Sequence, residues 1–227
     1  MTERETPSVD GLVIGILGGT GDQGRGLARR FALAGHPVII GSRSRERAQA
    51  AALQIGHDVR GLANRDAARE ASVVIAAVPW EGHGDLLSGL AAELAGKIVV
   101  DCVNPLGFDQ RGAYALPVAE GGPAEGSAAE QAAALLPGSR VVAAFHHVSA
   151  VLLLDPGIDT VDLDVLVLGD DRQATDLVQA LAARIPGVRG IYAGRLRNCG
   201  QIEALTANLV SINRRYKAHA GLRITDI

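Results

Sequence analysis

The segment Leu12-Val13-Ile14-Gly15-Ile16-Leu17-Gly18-Gly19-Thr20-Gly21-Asp22-Gln23-Gly24 leaves the chain few ways to fold. Leu12 to Leu17 is short, apolar on both faces and partly β-branched, as a parallel strand covered on both sides should be. A glycine-dense turn follows without a break. Gly19-x-Gly21-x-x-Gly24 fits the dinucleotide fingerprint, and Gly18-x-x-Gly21-x-x-Gly24 fits its close variant. In such a turn one glycine permits the reversal, one lets backbone approach a pyrophosphate, and one lets helix pack on strand. A helix predicted from about Gln23 to Ala34 then aims free N–H groups and its positive dipole end at phosphate. Leu27 and Phe31 bury one side of it, and Gly35 followed by Pro37 stops it. With a second apolar strand from Pro37 to Ile40, these pieces make a βαβ unit.

The end of that second strand discriminates between dinucleotides. An NAD site carries an acidic residue there, about 20 residues past the glycine turn, for the ribose 2′-hydroxyl. This chain has Gly41-Ser42-Arg43-Ser44-Arg45-Glu46-Arg47 instead. Ser42 can donate to a phosphate oxygen, Arg43 can pair with it or lie on the adenine, and Arg47 can reach back from the next helix. That set suits a 2′-phosphate, hence NADP.

The chain has 227 residues, enough for one Rossmann-type domain with a mostly parallel sheet and a small α/β C-terminal domain. We divide it into a flexible extension over 1–11, the dinucleotide-binding domain over 12–155 and the small domain over 156–227. Hydrophobic residues make up 48% and glycine is frequent, which favours a packed α/β fold over disorder. Aromatic residues are only 3% and net charge is -3, which argues against base stacking or a phosphate-backbone partner, so nucleic acid is excluded. The first ten residues are polar and charged, unlike a secretory signal, and no run approaches the roughly 18 apolar residues of a membrane span. Cys102 and Cys199 show no metal or redox spacing. The expected location is the cytoplasm, with no membrane partner.

Further along, apolar strands predicted at Ser72–Val78, Lys97–Cys102 and Arg140–Phe145 each deliver a loop to the crevice beyond the strands' carboxyl ends. The first loop carries Pro79 and Trp80, then Glu81 and His83. The second carries Val103-Asn104-Pro105, and the third His146-His147-Val148-Ser149-Ala150. Asn64 is a plausible helix cap, 109–126 reads as a surface excursion, and Ser127-x-x-Glu130 is a capping box. Strands at Asp164–Leu168 and Val188–Tyr192 flank a helix opened by Asp170-Asp171. The closing helix, Asn198 to Tyr216, places Ile202, Leu205, Leu209 and Ile212 on one apolar stripe, which points to a homodimer.

What is missing narrows the chemistry. None of Tyr114, Tyr192 and Tyr216 has lysine four residues later, and Lys97 and Lys217 are the only lysines. A short-chain dehydrogenase or a β-hydroxyacid dehydrogenase would need such an acid. His146-His147 lacks further ligands at metal spacing. One histidine packed and one in water is the plain reading, and contact with a second ligand beside the nicotinamide is the other. Hydride exchange between two redox cofactors makes the least demand on a dedicated acid.

Gly-Gly-Thr-Gly-x-x-Gly, Gly41-Ser42-Arg43 with Arg47, Pro79-Trp80-Glu81, the His146 loop, Gly169-Asp170-Asp171 and Leu205-Thr206-x-x-Leu209 together resemble the NADPH-dependent coenzyme F420 reductases. The resemblance spans nearly the whole chain from Leu12. It implies a Rossmann domain with a small C-terminal domain, usually dimeric, and reversible hydride transfer between nicotinamide C4 and deazaflavin C5. It places the pyrophosphate on Thr20 to Gln23 and the 2′-phosphate on Ser42, Arg43 and Arg47. Val78, Pro79, Trp80, Val103 and Ala150 would lie by the ribose and nicotinamide. The deazaflavin, the small-molecule partner, would stack near His146, Val148 and Ser149 and the closing helix, with His146 and Ser149 the candidates nearest the chemistry and no metal. Two departures stand out: Asp22-Gln23 where several relatives have Asn-Leu, and His146-His147-Val148-Ser149 where His-Thr-Ile-Pro is frequent. A different NADP-dependent reductase, acting on a flavin, an imine or a metal, and a non-catalytic NADP sensor are the alternative functions.

Overall fold

A computed structural model describes residues 7–227. The elements run β1 (Ile14–Leu17), α1 (Asp22–Leu33), β2 (Val38–Ser42), α2 (Arg45–Ile55), β3 (Arg60–Ala63), α3 (Asn64–Glu70), β4 (Val73–Ala76), α4 (His83–Gly89) and α5 (Ala91–Leu94). There follow β5 (Ile98–Asp101), β6 (Leu106–Asp109), β7 (Gly112–Ala115), α6 (Ala128–Leu135), β8 (Arg140–Ala143), α7 (Ala150–Leu154), β9 (Leu163–Gly169), α8 (Arg172–Ala182), β10 (Val188–Gly194) and α9 (Cys199–Tyr216).

Eight strands form one sheet in the order β10-β9-β8-β5-β4-β1-β2-β3. From β3 to β8 every pair is parallel, and the order reverses between β1 and β4, the switch point of a Rossmann sheet. Alternation along the strands divides the interior. Ile14, Ile16, Val73 and Ile75 face the layer of α1, α2, α7 and α8, while Leu17, Val74 and Ala76 face the layer of α3, α4, α6 and α9. Both faces are covered, and β1 and β4 accordingly carry no polar residue.

Beyond β8 the direction changes. β9 pairs antiparallel with β8, β10 runs parallel to β9, and residues 156–227 therefore extend the same sheet. The chain beyond α9 is tied to β9, where Asp164 N–H donates to Leu222 O at 2.8 Å. Asp164 is completely buried and accepts from Nε and Nη2 of Arg189, each at 2.7 Å, and from Arg223 at 2.9 Å. Arg189, with further donors from Ile224 N–H and Arg223, holds its carboxyl well below the usual carboxylate range against the cost of burial.

Several local expectations are corrected. The excursion after β5 contains a β6–β7 hairpin, and β7 packs beside α9. Asn64 does not cap α3; the cap position is Ala63, and Asn64 Oδ1 instead lies 3.5 Å from the Gly18 amide. On α9 only Leu209 of the predicted stripe is fully buried; Ile202 and Leu205 are half-buried and Ile212 is 40% exposed. The deepest face is Cys199, Glu203 and Ala207, because α6 packs there. Of the N-terminal extension, residues 1–6 lie outside the described residues, while Val9 is buried in the core and the Leu12 amide donates to its carbonyl. Ser127 and Asp171 cap α6 and α8 through their side chains, as their positions predict.

Candidate functional site

The glycine turn is the tightest part of the crevice. Gly18 has φ +69°, and a side chain there would collide with Val78, so the exits of β1 and β4 touch at this residue. A Cβ on Gly24 would sit 2.6 Å from the Gly19 Cα, whereas one on Gly21 would meet nothing closer than 3.8 Å. Gly21 is thus open toward the crevice while Gly18, Gly19 and Gly24 are closed by packing. α1 begins at Asp22 with no side-chain cap on its N-terminus, which leaves the first amides of the helix for a ligand. The Asp22 carboxylate is drawn away to Arg25 at 2.8 Å, so the negative charge beside the cradle is offset within the helix. Thr20 is half-buried in the turn.

Beyond β2 the basic residues are unencumbered. Arg43 and Arg47 are exposed, and among the described residues neither side chain has an ion-pair partner. Glu46, the acid between them, accepts from the Ser44 hydroxyl at 2.7 Å, and Ser44 Oγ accepts from Arg47 N–H. Ser42 is buried and its Oγ lies 3.4 Å from the Ser44 amide, which leaves its proton free to donate. Two guanidiniums and a hydroxyl are the donor set a 2′-phosphate needs.

The loop after β8 is fastened over the start of α1. Gln23 Nε2 donates to Phe145 O at 3.2 Å, and Phe145 holds φ +65°, a strained angle for a non-glycine residue. Asn104 donates to His146 O at 2.8 Å, and Thr206 Oγ1 lies 3.3 Å from both His146 O and Asn104 Oδ1. Loops from β5, β8 and α9 therefore meet on one carbonyl. Both ring nitrogens of His146 are buried without a protein partner, and burial pushes its pKa down to about 4. A neutral imidazole with two unpaired nitrogens is what a ligand-facing group offers. His147 turns the other way, onto Asp164 O at 2.8 Å, so it serves structure. Val103 and Val148 are buried, whereas Ser149 and Ala150 are half-buried at the start of α7. Arg30, itself buried, holds that short helix by donating to the carbonyls of Leu152, Leu153 and Ile158.

Trp80 is half-buried, with its indole N–H donating to Gly121 O at 2.8 Å and its ring 5.5 Å from that of His83. Pro79 is exposed. His83, which follows Trp80 in the loop beyond β4, is completely buried. Its Nε2 lies 2.6 Å from Asp101 Oδ2 and its Nδ1 3.0 Å from Gln131 Oε1. Burial would lower its pKa, but the hydrogen bond and charge of Asp101 outweigh that and hold it above the ordinary value. Asp101 Oδ1 accepts from the Val103 amide at 3.0 Å. Close by, Glu203 accepts from the Ala128 and Ala129 amides, and burial raises it to about 7. No spacing in the sequence joins these residues, which come from four separate elements.

Lys97 lies at the amino-terminal end of β5, opposite the crevice, donating to the carbonyls of Ala68, Arg69 and Ala71, so it is not a hydride-path acid. Cys102 and Cys199 are buried thiols, pushed far up by burial.

A parallel sheet with a glycine cradle at its switch point defines a Rossmann-type dinucleotide-binding protein. The family model for coenzyme F420-dependent NADP oxidoreductases matches residues 13–105. The chain is 42% identical over 226 residues to the F420-dependent NADP reductase of Methanothermobacter marburgensis, covering 95% of this chain and 99% of that protein. To the enzyme of the same description from Methanocaldococcus jannaschii it is 42% identical over 229 residues, with the same coverage of both chains. A solved structure from Arthrobacter sp., described as a proposed F420-dependent NADP reductase, superposes with a TM-score of 0.81 at 28% identity, over 95% of this chain and 100% of that one. The chain belongs to the coenzyme F420-dependent NADP oxidoreductase family.

Proposed function

We propose that the protein catalyses reversible hydride transfer between NADP(H) and the deazaflavin coenzyme F420. The observation that carries this reading is the bond from Gln23 to Phe145 O, which fastens a second-ligand loop directly over the pyrophosphate cradle. NADPH supplies the hydride from nicotinamide C4, the deazaflavin takes it at C5, and a proton from solvent completes the reduced coenzyme.

In this assignment residues 12–155 form the NADP cradle. The amides of Thr20, Asp22 and Gln23, at the closed turn of Gly18, Gly19 and Gly24, bind the pyrophosphate, and Gly21, whose own amide donates to Gly18 O, lets it approach. Ser42, Arg43 and Arg47 take the 2′-phosphate. Val78, Pro79, Trp80, Val103 and Ala150 flank the ribose and nicotinamide, and Phe145 and Leu153 close the floor below. His146, Val148 and Ser149 seat the deazaflavin together with Thr206, so that residues 156–227 complete the second-ligand site. His146 is neutral near pH 7, because its pKa is held near 4, and it acts as a hydrogen-bonding wall rather than a proton donor. No side chain is assigned to proton transfer; catalysis is the positioning of the two reactants. The part-exposed stripe of Ile202, Leu205 and Ile212 supports a homodimer formed through α9. No helix among the described residues is long and apolar enough to cross a membrane, which is compatible with a cytoplasmic enzyme.

The test is optical. Purified protein is mixed with NADPH and oxidised F420, and the visible absorbance of the deazaflavin is followed, with FAD and FMN in parallel. Bleaching of F420 alone is expected. Equal bleaching of a flavin, or NADPH binding without bleaching of any acceptor, would refute the assignment.

A further inference from the structure

The two loops proposed to flank the nicotinamide hang on one buried ion pair. Leaving β4, Val78 lies against Gly18 of the cradle, and Trp80 follows two residues later. Leaving β5, Asp101 is followed by Val103. The two strands are parallel neighbours with Ala76 opposite Asp101, so both loops open on the same side of the sheet. Behind them His83 and Asp101 are completely buried, 2.6 Å apart. His83 carries Trp80: the two rings are tilted by 31° with centroids 5.5 Å apart, and the indole N–H is fixed to Gly121 O at 2.8 Å. Asp101 carries Val103, whose amide donates to Oδ1 at 3.0 Å.

The hydrogen bonds define the charge of the ring. Nε2 faces a carboxylate oxygen and Nδ1 faces Gln131 Oε1 at 3.0 Å, so each nitrogen meets an acceptor and both carry protons. An imidazolium at this distance from an indole is within cation–π range. Around it, Asp101 on β5 and Glu203 on α9 favour the ring proton, and Gln131 on α6 accepts from it. The acids of its own segment, Glu81 and Asp85, are exposed. The charge of Asp101 also reaches the neutral His146 and the thiols of Cys102 and Cys199. For packing alone an apolar pair would serve as well or better, because desolvating two charges offsets their attraction. What an apolar pair lacks is an acceptor for the Val103 amide and a cation for Trp80.

We propose that His83, as an imidazolium paired with Asp101, is a positioning residue for hydride transfer, holding Trp80 and, through Asp101, Val103 as the wall against which the nicotinamide is set. The inference rests on the proposed reaction and deepens it by naming what fixes the hydride donor. Loss of the ring proton leaves one acceptor without its donor and withdraws the cation from Trp80. The wall then slackens, and the nicotinamide is held less well for transfer.

Trp80 is the only tryptophan of the chain, so its emission reports this wall directly, and a protonated imidazole beside an indole quenches it. The experiment follows Trp80 emission in NADPH-free protein, and single-turnover hydride transfer to F420 at saturating NADPH, from about pH 6 to about pH 10. In the wild type, emission should rise and the transfer rate should fall about tenfold or more, with one shared midpoint above the ordinary histidine value. Gln131→Leu removes a bond that favours the ring proton and should lower both midpoints together. Glu203→Gln should lower them too without abolishing either transition. His83→Gln keeps a donor for Asp101 but no charge; it should be slow at every pH and show neither transition, with the NADPH Kd within about twofold of wild type. Trp80 emission without a transition, midpoints that move apart, transitions that vanish in Glu203→Gln, or a His83→Gln variant as fast as wild type would each overturn the assignment. Should no F420 be reduced, the proposed reaction falls. The pair is then judged by energy transfer from Trp80 to bound NADPH, which should weaken over the same pH interval; constant transfer across it overturns the pair as well.

Discussion

His83→Leu tests whether the buried pair under the crevice is structural support. Both side chains of the pair are completely buried, 2.6 Å apart, so the substitution leaves Asp101 as an uncompensated charge. Breaking a buried pair from one side costs about 3–5 kcal/mol. For a chain of this size each kcal/mol moves Tm by roughly 2–4 °C, so the expected fall is about 6–20 °C. The double variant His83→Leu/Asp101→Asn should recover much of it, because the charge is gone and the amide oxygen can still accept from the Val103 N–H. Differential scanning calorimetry of the two variants reads both numbers. A single variant within 2 °C of wild type, or a double variant no better than the single, would refute the reasoning. The pH dependence gives an independent check. His83 and Glu203 both have raised folded pKa values, so each contributes stability that is full below its unfolded pKa and is lost as pH rises through its folded one. Wild-type Tm should decline as pH passes from about 4.5 through 7 on account of Glu203 and further on account of His83, and His83→Leu should lose the His83 part. Buried neutral His146 and His147 act oppositely below their ordinary pKa, which sets the acid side of the optimum.

Arg43→Ala/Arg47→Ala should weaken NADPH by about 2 kcal/mol, roughly 30-fold in Kd, and leave NADH nearly unchanged; equal losses in calorimetric titrations would displace the 2′-phosphate from these residues. Gly24→Ala puts a methyl 2.6 Å from the Gly19 Cα, and overpacking of this kind costs about 1–3 kcal/mol. Its Tm should fall and its NADPH affinity with it, and an unperturbed variant would mean the cradle is looser than it looks. Asp164→Asn removes a carboxylate that is depressed by Arg189. Its stabilisation is present above the ordinary carboxylate pKa and disappears as pH falls through the depressed value. The variant should lose about 3 kcal/mol at pH 7 and should show a flatter acid limb below pH 4 in urea titrations.

The part of the fold that a local pattern specifies was legible. The strand, glycine turn and helix over 12–34 are encoded by neighbours in sequence, as are the caps at Ser127 and Asp171, because each depends on groups within a few residues. Strand direction was not: an apolar run such as Leu163–Gly169 reads the same parallel or antiparallel, and only its pairing with β8 decides. The β6–β7 hairpin was hidden by glycine and proline punctuation that also marks irregular loops. Asn64 illustrates a competition, since its side chain can cap its own helix or reach across to Gly18, and the closeness of β2 to α3 selects the second. The His83, Asp101, Gln131 and Glu203 cluster was beyond reach for a different reason. His83 stands among glycines and acids, Asp101 ends an apolar strand, and Gln131 and Glu203 lie on two helices far apart in sequence, so only the tertiary fold makes them neighbours.

The same physics explains how a site without a dedicated acid can be selective. Phe145 and His146 are held through their carbonyls, by Gln23 from the cradle, Asn104 from the β5 exit and Thr206 from α9. Each bond crosses from one element to another, so the spacing between the two proposed ligand seats is set by the sheet and by α1 and α9 together. A change that loosens one of these bonds without touching either ligand would lengthen the hydride path. Thr206→Val is such a change: it keeps the shape of the side chain and removes the hydroxyl that lies 3.3 Å from the His146 carbonyl. Under the positioning reading it should lower kcat for F420 reduction while NADPH affinity stays constant, because the cradle is intact. A loss of NADPH affinity equal to the loss of kcat would instead mean that the two seats are not separately held, and that the loop over α1 belongs to the cradle alone.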